Sequence, residues 1–254
     1  MRAKQLTYLG FLDRQKLSAI EKHGHYSPQS FAQILFAFAL RDNFDRLLEK
    51  SVGKNYCTFF EARNGLYHIL MYLKRRFRSR RIFVPDMICQ AVRLASKRAG
   101  YGIVYYKGKP AGFKENDVLL TASAVKLPGK AFTIEDNARN PTIPSKDYDF
   151  SLYSFGNGKP LSSGGGGVVV VNNEKLHDFL DAAGLLRKPG LSVEIRAYLK
   201  SLFWRLTTSG SVRRYGKKAL RSIDSSYGTG SGIKIVNLDL SMCSTSKRLA
   251  STIL

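Results

Sequence analysis

An acidic residue and a lysine in the second half of the sequence could together do chemistry. Asp136 ends the apolar stretch AFTIED, and Lys159 lies in the glycine-rich turn of YSFGNGKPLSSGGGGVVVVNN. Pyridoxal phosphate requires two such groups: an amine that forms a Schiff base with its aldehyde, and a carboxylate that keeps its pyridine nitrogen protonated. The glycines and hydroxyls beside Lys159 leave room for a phosphate, which backbone N–H groups can bind. The pair therefore predicts a pyridoxal phosphate site.

Less specific explanations of the same residues stay open. Lys159 could be a solvated turn lysine, which is the default in so basic a chain. Asp136 could cap the end of a strand or the next turn, and Ser154 could be an ordinary turn hydroxyl. Arg63 could be a surface residue at the start of a helix. The positions of these side chains relative to one another distinguish the two interpretations.

Three helices are predicted from apolar spacing and end signals. The first spans SPQSFAQILFAFALRDNFDRLLEK, with Ser27 as its N-cap and Pro28 at its first position. The second spans ARNGLYHILMYLKRR, which has one apolar face. The third spans ICQAVRLASKRAG and ends at Gly100, as a glycine past a helix end indicates.

Short β-branched or aromatic strands alternate with these helices. They are predicted at IFVPD, YGIVYY, DVLLTA, AFTIED and FSLYS. This alternation predicts an α/β domain with a mostly parallel sheet, in which ligands bind at the carboxyl ends of the strands. We therefore expect Asp86, Asp136 and Lys159 to lie on one edge of the sheet.

Four consecutive glycines, 164–167, follow Lys159. A run of glycine could be a flexible linker, but here an apolar strand follows directly. We therefore expect two backbones to approach each other closely at these glycines.

Charge and composition limit the class of protein. The 254 residues include 41 Lys and Arg against 19 Asp and Glu, a net charge of +22, and 44% are hydrophobic. This composition is typical of a folded protein that binds a polyanion: nucleic acid, an anionic membrane or a phosphorylated small molecule. Three scattered cysteines, histidines without metal-ligand spacing and the lack of a signal peptide favour a cytoplasmic protein without a metal site. The longest apolar run, 34–40, is far shorter than the roughly 20 residues that span a bilayer, so membrane contact would be peripheral.

Three regions are predicted along the chain. Residues 1–50 form an N-terminal helical segment, 51–183 form the core of a cofactor-binding large domain, and 184–254 form a basic helical excursion that begins a truncated C-terminal region. The third region alternates amphipathic basic segments with Gly/Ser breaks and ends inside an apolar-periodic helix. We therefore expect the chain to be a fragment.

Two motifs give the chain a resemblance to a known family. TIEDNARN, followed by FSLYSFGNGKPLSSGGGGVVVVNN, resembles the EDxAQ and SFxxxK motifs of DegT/StrS-type sugar aminotransferases, which are fold-type I pyridoxal phosphate enzymes. Ser154, Phe155 and Lys159 match the second motif at its spacing. Ser162 and Ser163 match the pair of hydroxyl residues that follows it.

The resemblance implies a role for each matching position. Lys159 would be the Schiff-base lysine and the proton shuttle, and Asp136 would hold the pyridine nitrogen. The other cofactor-binding residues that it implies are Ser154, Ala62 and Arg63 near the phosphate, Arg139 near the ring hydroxyl, and Cys89 against the ring. The family prefers Gln or His at the position of Arg139 and an aromatic residue at that of Cys89. Taken by itself, Cys89 is expected to be a small buried hydrophobe.

The resemblance also implies a fold and an activity. The fold would be a three-layer α/β/α large domain with a mostly parallel sheet, with the small C-terminal domain largely missing. The activity would be pyridoxal phosphate-dependent transfer of an amino group, with glutamate as donor, to a nucleotide-linked keto sugar in polysaccharide or surface-glycan synthesis. The family builds its site at a homodimer interface, so a homodimer is expected.

Two other functions stay open. The chain could be a truncated or catalytically inactive homologue, or it could be a basic protein that binds nucleic acid or a membrane surface. KRRFRSRR and RRYGKK interleave aromatic residues with cations, but neither belongs to a recognisable nucleic-acid module, so nucleic acid is not the expected partner. Attraction of these runs to anionic lipid head groups would suit an enzyme of surface-glycan assembly.

Overall fold

The computed structural model describes residues 30–122, 131–141, 144–156, 159–208 and 240–251. The strands in this part of the chain are β1 (Tyr56–Phe59), β2 (Arg81–Pro85), β3 (Gly102–Tyr106), β4 (Val118–Thr121), β5 (Phe132–Asp136), β6 (Phe150–Ser154) and β7 (Gly167–Val171). The α-helices are α1 (Phe31–Leu35), α2 (Phe44–Val52), α3 (Ala62–Phe77), α4 (Gln90–Arg98), α5 (Asp178–Gly184), α6 (Leu191–Thr208) and α7 (Ser244–Ala250).

These strands form one sheet in the order β1-β7-β6-β5-β4-β2-β3. Neighbouring strands pair in parallel, except that β7 runs antiparallel to both β1 and β6. The other six strands therefore run in the same direction, and their carboxyl ends lie at one edge of the sheet. The prediction of an α/β domain with a mostly parallel sheet is confirmed.

Strand β7, with the sequence GVVVV, separates two apolar cores, because successive side chains of a strand point to opposite faces. Val169 and Val171 lie in a core that is closed by the apolar sides of α3, α4 and α5. Val168 and Val170 lie in a second core, with apolar residues of α2 and α7. Helices thus cover both faces of the sheet, and the predicted three-layer arrangement is confirmed.

The prediction of one long helix at the N-terminal side is wrong in its extent. Ser27 and Pro28, its predicted first residues, lie outside the described residues. The described part of the predicted helix forms two separate helices, α1 and α2, because a separate set of hydrogen bonds begins each one. Ser30 and Gln33 exchange hydrogen bonds of 3.2 and 2.8 Å in a capping box that begins α1. Asp42 Oδ1 accepts the first N–H of α2 at 3.2 Å and so begins the second helix.

Candidate active site

One edge of the sheet gathers most of the residues that the sequence singles out. Asp136 ends β5 and Ser154 ends β6. Ala62 begins α3 shortly after β1, Asp86 follows β2, and Cys89 is the N-cap of α4. Because these strands run in the same direction, all five positions lie at their common carboxyl edge, where ligands bind in sheets of this kind.

The Asp136 carboxylate is partly buried at this edge, and its Oδ1 accepts the N–H of Ala138 at 3.1 Å. Burial raises the pKa of Asp136, whereas the Ala138 N–H and the positive charges of Lys159 and Arg139 act to lower it. The net shift is upward, so burial outweighs these three effects. The positive charges of Lys159 and Arg139 therefore lie within the range over which charges interact with the Asp136 carboxylate.

Lys159 lies on a turn that its own backbone organises. Its N–H donates to the Gly156 carbonyl at 3.2 Å, and its carbonyl accepts the N–H of Ser162 at 3.1 Å. The N–H of Ser163 donates to the Phe155 carbonyl at 2.9 Å, which closes the turn against the end of β6. Lys159 is partly buried, so it differs from a fully solvated turn lysine.

The two hydroxyls that follow Lys159 have different surroundings. Ser163 Oγ donates to the Gly165 carbonyl at 3.0 Å. Ser162 is 1% exposed, and its Oγ has no hydrogen-bond partner among the described residues. A buried polar group without a partner costs about 1–3 kcal/mol, and a phosphate oxygen would satisfy this hydroxyl. Ser162 therefore fits the phosphorylated cofactor that the motif implies.

Gly167 lies between Ser154 and the start of α3. Ser154, whose Oγ accepts the N–H of Gly156 at 3.4 Å, pairs with Gly167 across the sheet. A Cβ at Gly167 would overlap the backbone of Ala62 and lie 2.8 Å from the carbonyl carbon of Glu61. The absence of a side chain at Gly167 thus lets Ser154 and the first turn of α3 lie on either side of it.

The predicted close approach of two backbones is confirmed at the last glycine of the run, whereas two other glycines approach side chains most closely. A Cβ at Gly164 would lie 2.8 Å from the Cβ of Ser201 on α6, and one at Gly166 would lie 2.8 Å from Met242 Sδ. Gly164 and Gly166 also have φ values of 86° and 108°, which favour glycine. Helix α6 and the segment before α7 therefore pack directly on the turn that carries Lys159.

An acidic residue that the sequence analysis does not identify lies at the start of α3. Glu61 is the N-cap of this 16-residue helix, but its side chain makes no capping hydrogen bond. Its carboxylate forms an ion pair with Arg63 and lies 3.9 Å from Lys200 Nζ of α6. The resemblance places the phosphate at Ala62 and Arg63, where free helix N–H groups favour an anion. Glu61 adds a negative charge at this point, and its position directly before a predicted helix is the signal that marks it.

If the start of α3 binds the phosphate of pyridoxal phosphate, replacing Glu61 by glutamine should strengthen the binding. The substitution removes a negative charge from the helix N-terminus and releases Arg63 for the phosphate. We expect an affinity about two- to fivefold higher, since a charge at a helix terminus contributes about 0.3–1 kcal/mol. Fluorescence titration with pyridoxal phosphate measures the change, and Glu115→Gln, at an exposed acid, is the matched control. Weaker binding by Glu61→Gln than by the control would contradict a phosphate at α3.

Arg139 and Cys89 differ in their distance from Asp136. Arg139 is exposed in the turn after β5 and acts on the Asp136 carboxylate. Cys89 follows β2, which β4 separates from β5, so about 10 Å of sheet lies between it and Asp136. The expectation that Cys89 is buried is wrong. It is exposed, because it lies at the N-cap of α4, outside the core.

A hydrogen-bond network joins β5 to β6 beside Asp136. Ser151 Oγ donates to Glu135 Oε2 at 2.7 Å and accepts from Asn172 Nδ2 at 3.0 Å. Glu135 Oε2 also accepts the N–H of Ser145 at 3.4 Å. Because Glu135 and Asp136 point to opposite faces of the strand, the network holds β5 in place and leaves the Asp136 carboxylate available.

Neither a protein-family model nor a curated protein sequence matches the chain. Among solved structures, it is similar to AtS13 from Actinomadura melliaura, at 16% identity and a TM-score of 0.48, over 81% of this chain and 72% of that one. It is similar to the sugar aminotransferase CalS13 from Micromonospora echinospora, at 14% identity and 0.46, over 86% and 71%. It is also similar to Helicobacter pylori PseC, an aminotransferase involved in the biosynthesis of pseudoaminic acid, at 15% identity and 0.44, over 87% and 70%. At these identities and TM-scores the similarity assigns this chain neither a family nor a role for any residue.

Proposed function

We propose that the protein is a pyridoxal phosphate-dependent aminotransferase that acts on a nucleotide-linked keto sugar. The observation that carries the proposal is that Asp136 ends β5 and Lys159 lies on the turn after the neighbouring strand β6, at the same carboxyl edge of the sheet. The segments around both residues resemble the motifs of DegT/StrS-type sugar aminotransferases. Position and sequence context thus support the same chemistry.

The residues at this edge fit pyridoxal phosphate. When bound, this cofactor supplies an aldehyde and a pyridine ring that accepts electrons. Asp136 would hold a proton at the pyridine nitrogen, and its partial burial strengthens that contact by lowering the local dielectric constant. The start of α3, with Ala62 and Arg63, and the hydroxyls of Ser154 and Ser162 would bind the phosphate.

Lys159 has two tasks in this proposal. Its Nζ would attach the cofactor covalently, and afterwards it would act as a general acid and base that moves a proton to and from the reacting carbon. The hydrogen bonds of its backbone to Gly156 and Ser162 hold the turn in place. Only the side chain of Lys159 then has to move between the two tasks.

The proposed substrates follow from the resemblance and the charge of the chain. Glutamate would donate the amino group, and a keto sugar joined to a nucleotide would receive it, as a step towards a polysaccharide or surface glycan. The net charge of +22 would attract the phosphates of a nucleotide sugar and raise the rate of encounter. A homodimer with the site at its interface is proposed on the same resemblance.

Comparing the wild-type protein with Asp136→Asn tests the function. With pyridoxal phosphate and glutamate, the wild type should release 2-oxoglutarate, and it should continue to do so when a nucleotide-linked keto sugar accepts the amino group. The variant cannot keep the pyridine nitrogen protonated, so we expect its rate to be about 10²–10³-fold lower, as for other lost electrostatic contacts at a reacting group. Asp147→Asn, at an exposed aspartate, should keep the wild-type rate.

The rates of the wild type and of Asp136→Asn should also depend differently on pH. Because burial raises the pKa of Asp136, this carboxylate takes up a proton at a higher pH than an ordinary aspartate does as the solution is acidified. The wild-type rate should fall through that range, since a protonated carboxyl no longer holds the pyridinium, and the residual rate of Asp136→Asn should not follow it. Equal rates for Asp136→Asn and Asp147→Asn would contradict the proposal and favour an inactive homologue.

A further inference from the structure

The outer side of α6 is more apolar than the side that packs on the protein. Large apolar residues recur along it at helical spacing with exposures from 38% to 77%: Leu191, Ile195, Leu199, Phe203 and Leu206. The side that packs on the protein contains Ala197 and Ser201, which is 3% exposed, together with Tyr198 and Leu202. A surface helix normally turns its large apolar residues towards the protein, so this row of exposed apolar residues is unusual.

Helix α1 extends this apolar surface. Ile34 of α1 packs on Tyr198 and Leu202 of α6, and the Tyr198 hydroxyl donates to the Leu35 carbonyl at 3.0 Å. Four apolar residues of α1 and the turn after it are 40% to 62% exposed: Phe31, Leu35, Phe36 and Phe38. Residues 31–40 include no charged side chain. We call these four residues and the five on α6 the α1/α6 apolar face.

This concentration differs from the scattered apolar residues of an ordinary surface. Of the twelve large hydrophobic residues that are exposed in the described part of the chain, nine belong to the α1/α6 apolar face. Single exposed hydrophobic residues need no explanation, but a contiguous group of this size marks an interaction site.

Cations border the α1/α6 apolar face. Arg196 and Lys200 are exposed on α6, and Lys200 also lies 3.9 Å from the Glu61 carboxylate. The Arg248 guanidinium of α7 donates to the Phe38 carbonyl at 3.2 Å. Glu194 is the one acidic residue in the sequence of α6. Its carboxylate accepts the N–H of Ser244 at 2.7 Å and the N–H of Thr245 at 3.2 Å, at the start of α7. The border of the face is therefore positively charged.

We propose that the α1/α6 apolar face docks on the surface of an anionic lipid membrane. Its apolar side chains would enter the boundary between head groups and acyl chains, and the bordering cations would meet the anionic head groups. The net charge of +22 favours an anionic surface. This inference does not depend on the proposed catalytic function. Among the described helices, none is both long enough and apolar enough to cross a membrane.

Flotation of the full chain with lipid vesicles tests the inference. We expect binding to phosphatidylcholine vesicles that contain about one third phosphatidylglycerol, little binding to phosphatidylcholine alone, and weaker binding when salt is raised from about 0.15 M to about 1 M. Leu199→Asp should reduce the partition constant by about tenfold or more, because burial of a leucine side chain is lost and a charge enters the apolar contact. Circular dichroism of the variant checks that it is folded.

Leu185→Asp is the matched control, because Leu185 is 87% exposed but lies outside the α1/α6 apolar face. It should bind vesicles as the wild type does. An equal loss in both variants, or no preference for anionic vesicles, would overturn the inference. So would a wild-type dimer that Leu199→Asp dissociates and that binds no vesicles, since the face would then be a contact between copies of the chain.

Discussion

Lys159→Ala should lose both the yellow absorbance band that pyridoxal phosphate gives with the wild-type protein and the release of 2-oxoglutarate from glutamate. Alanine has no amine, so the cofactor cannot attach to the turn after β6, and no general acid or base remains there. We expect a rate about 10²–10⁴-fold lower, the range for a lost general acid/base. The measurement is the absorbance spectrum of each protein with pyridoxal phosphate, before and after borohydride, together with the rate.

Lys175→Ala is the matched control for this experiment. Lys175 is exposed and follows β7, at the opposite edge of the sheet, so its loss should leave the band and the rate unchanged. Added methylamine should restore part of the rate of Lys159→Ala if the lysine acts through its amine. An undiminished band in Lys159→Ala would assign the attachment to another lysine, and a wild type without a band would contradict the proposed function.

Gly167→Ala should be strongly destabilising for so small a change. The added methyl group would overlap the backbone of Ala62, which cannot move aside as a flexible side chain can. Because Gly167 also pairs with Ser154, the strain would reach β6 as well as the start of α3. We expect the free energy of unfolding to fall by about 3 kcal/mol, at the upper end of the usual cost of overpacking. Urea unfolding followed by circular dichroism measures it.

Gly184→Ala is the control for the glycine experiment. A Cβ at Gly184, in α5, would meet nothing within 4 Å. Alanine favours a helix over glycine by roughly 0.5–1 kcal/mol, so this variant should be as stable as the wild type or slightly more stable. If Gly167→Ala lost no more stability than Gly184→Ala, the close packing of α3 on β7 would be wrong. Gly167→Ala should also bind pyridoxal phosphate more weakly than the wild type, whereas Gly184→Ala should bind it as the wild type does.

Most of the fold could be predicted because its strands are short apolar runs between turn residues. AFTIED and FSLYS predict β5 and β6, and their alternation with helices predicts the parallel sheet. Strand β1, with the sequence YCTF, escapes this reasoning because two of its four residues are polar or small and its partner strand is distant. The break between α1 and α2 also escapes it, since apolar spacing continues across 36–43 while hydrogen bonds from Ser30 and Asp42 start two separate helices.

The candidate site could be predicted in its location but not in all its contacts. Asp136 and Ser154 end neighbouring parallel strands, so their nearness follows from the strand pattern. The contact of Glu61 with Lys200 depends on how α6 folds back over the glycine turn, which no local pattern reveals. The exposure of Cys89 likewise depends on its place at the helix cap and not on its residue type. The catalytic roles of Lys159 and Asp136 stay predictions that the experiments above decide.

The position of β1 at the edge of the sheet affects how the protein folds during synthesis. Its sheet neighbour is β7, and Cys57 contacts the Val169 carbonyl across 112 residues of chain. Until β7 leaves the ribosome, β1 has unpaired N–H and C=O groups, which other chains can bind. The turn after α1 obtains its contact with α7 later still, because the Phe38 carbonyl accepts from Arg248, which is 210 residues further along the chain. Folding dominated by such distant contacts is slow, so the nascent chain should need protection from aggregation until α7 has been made.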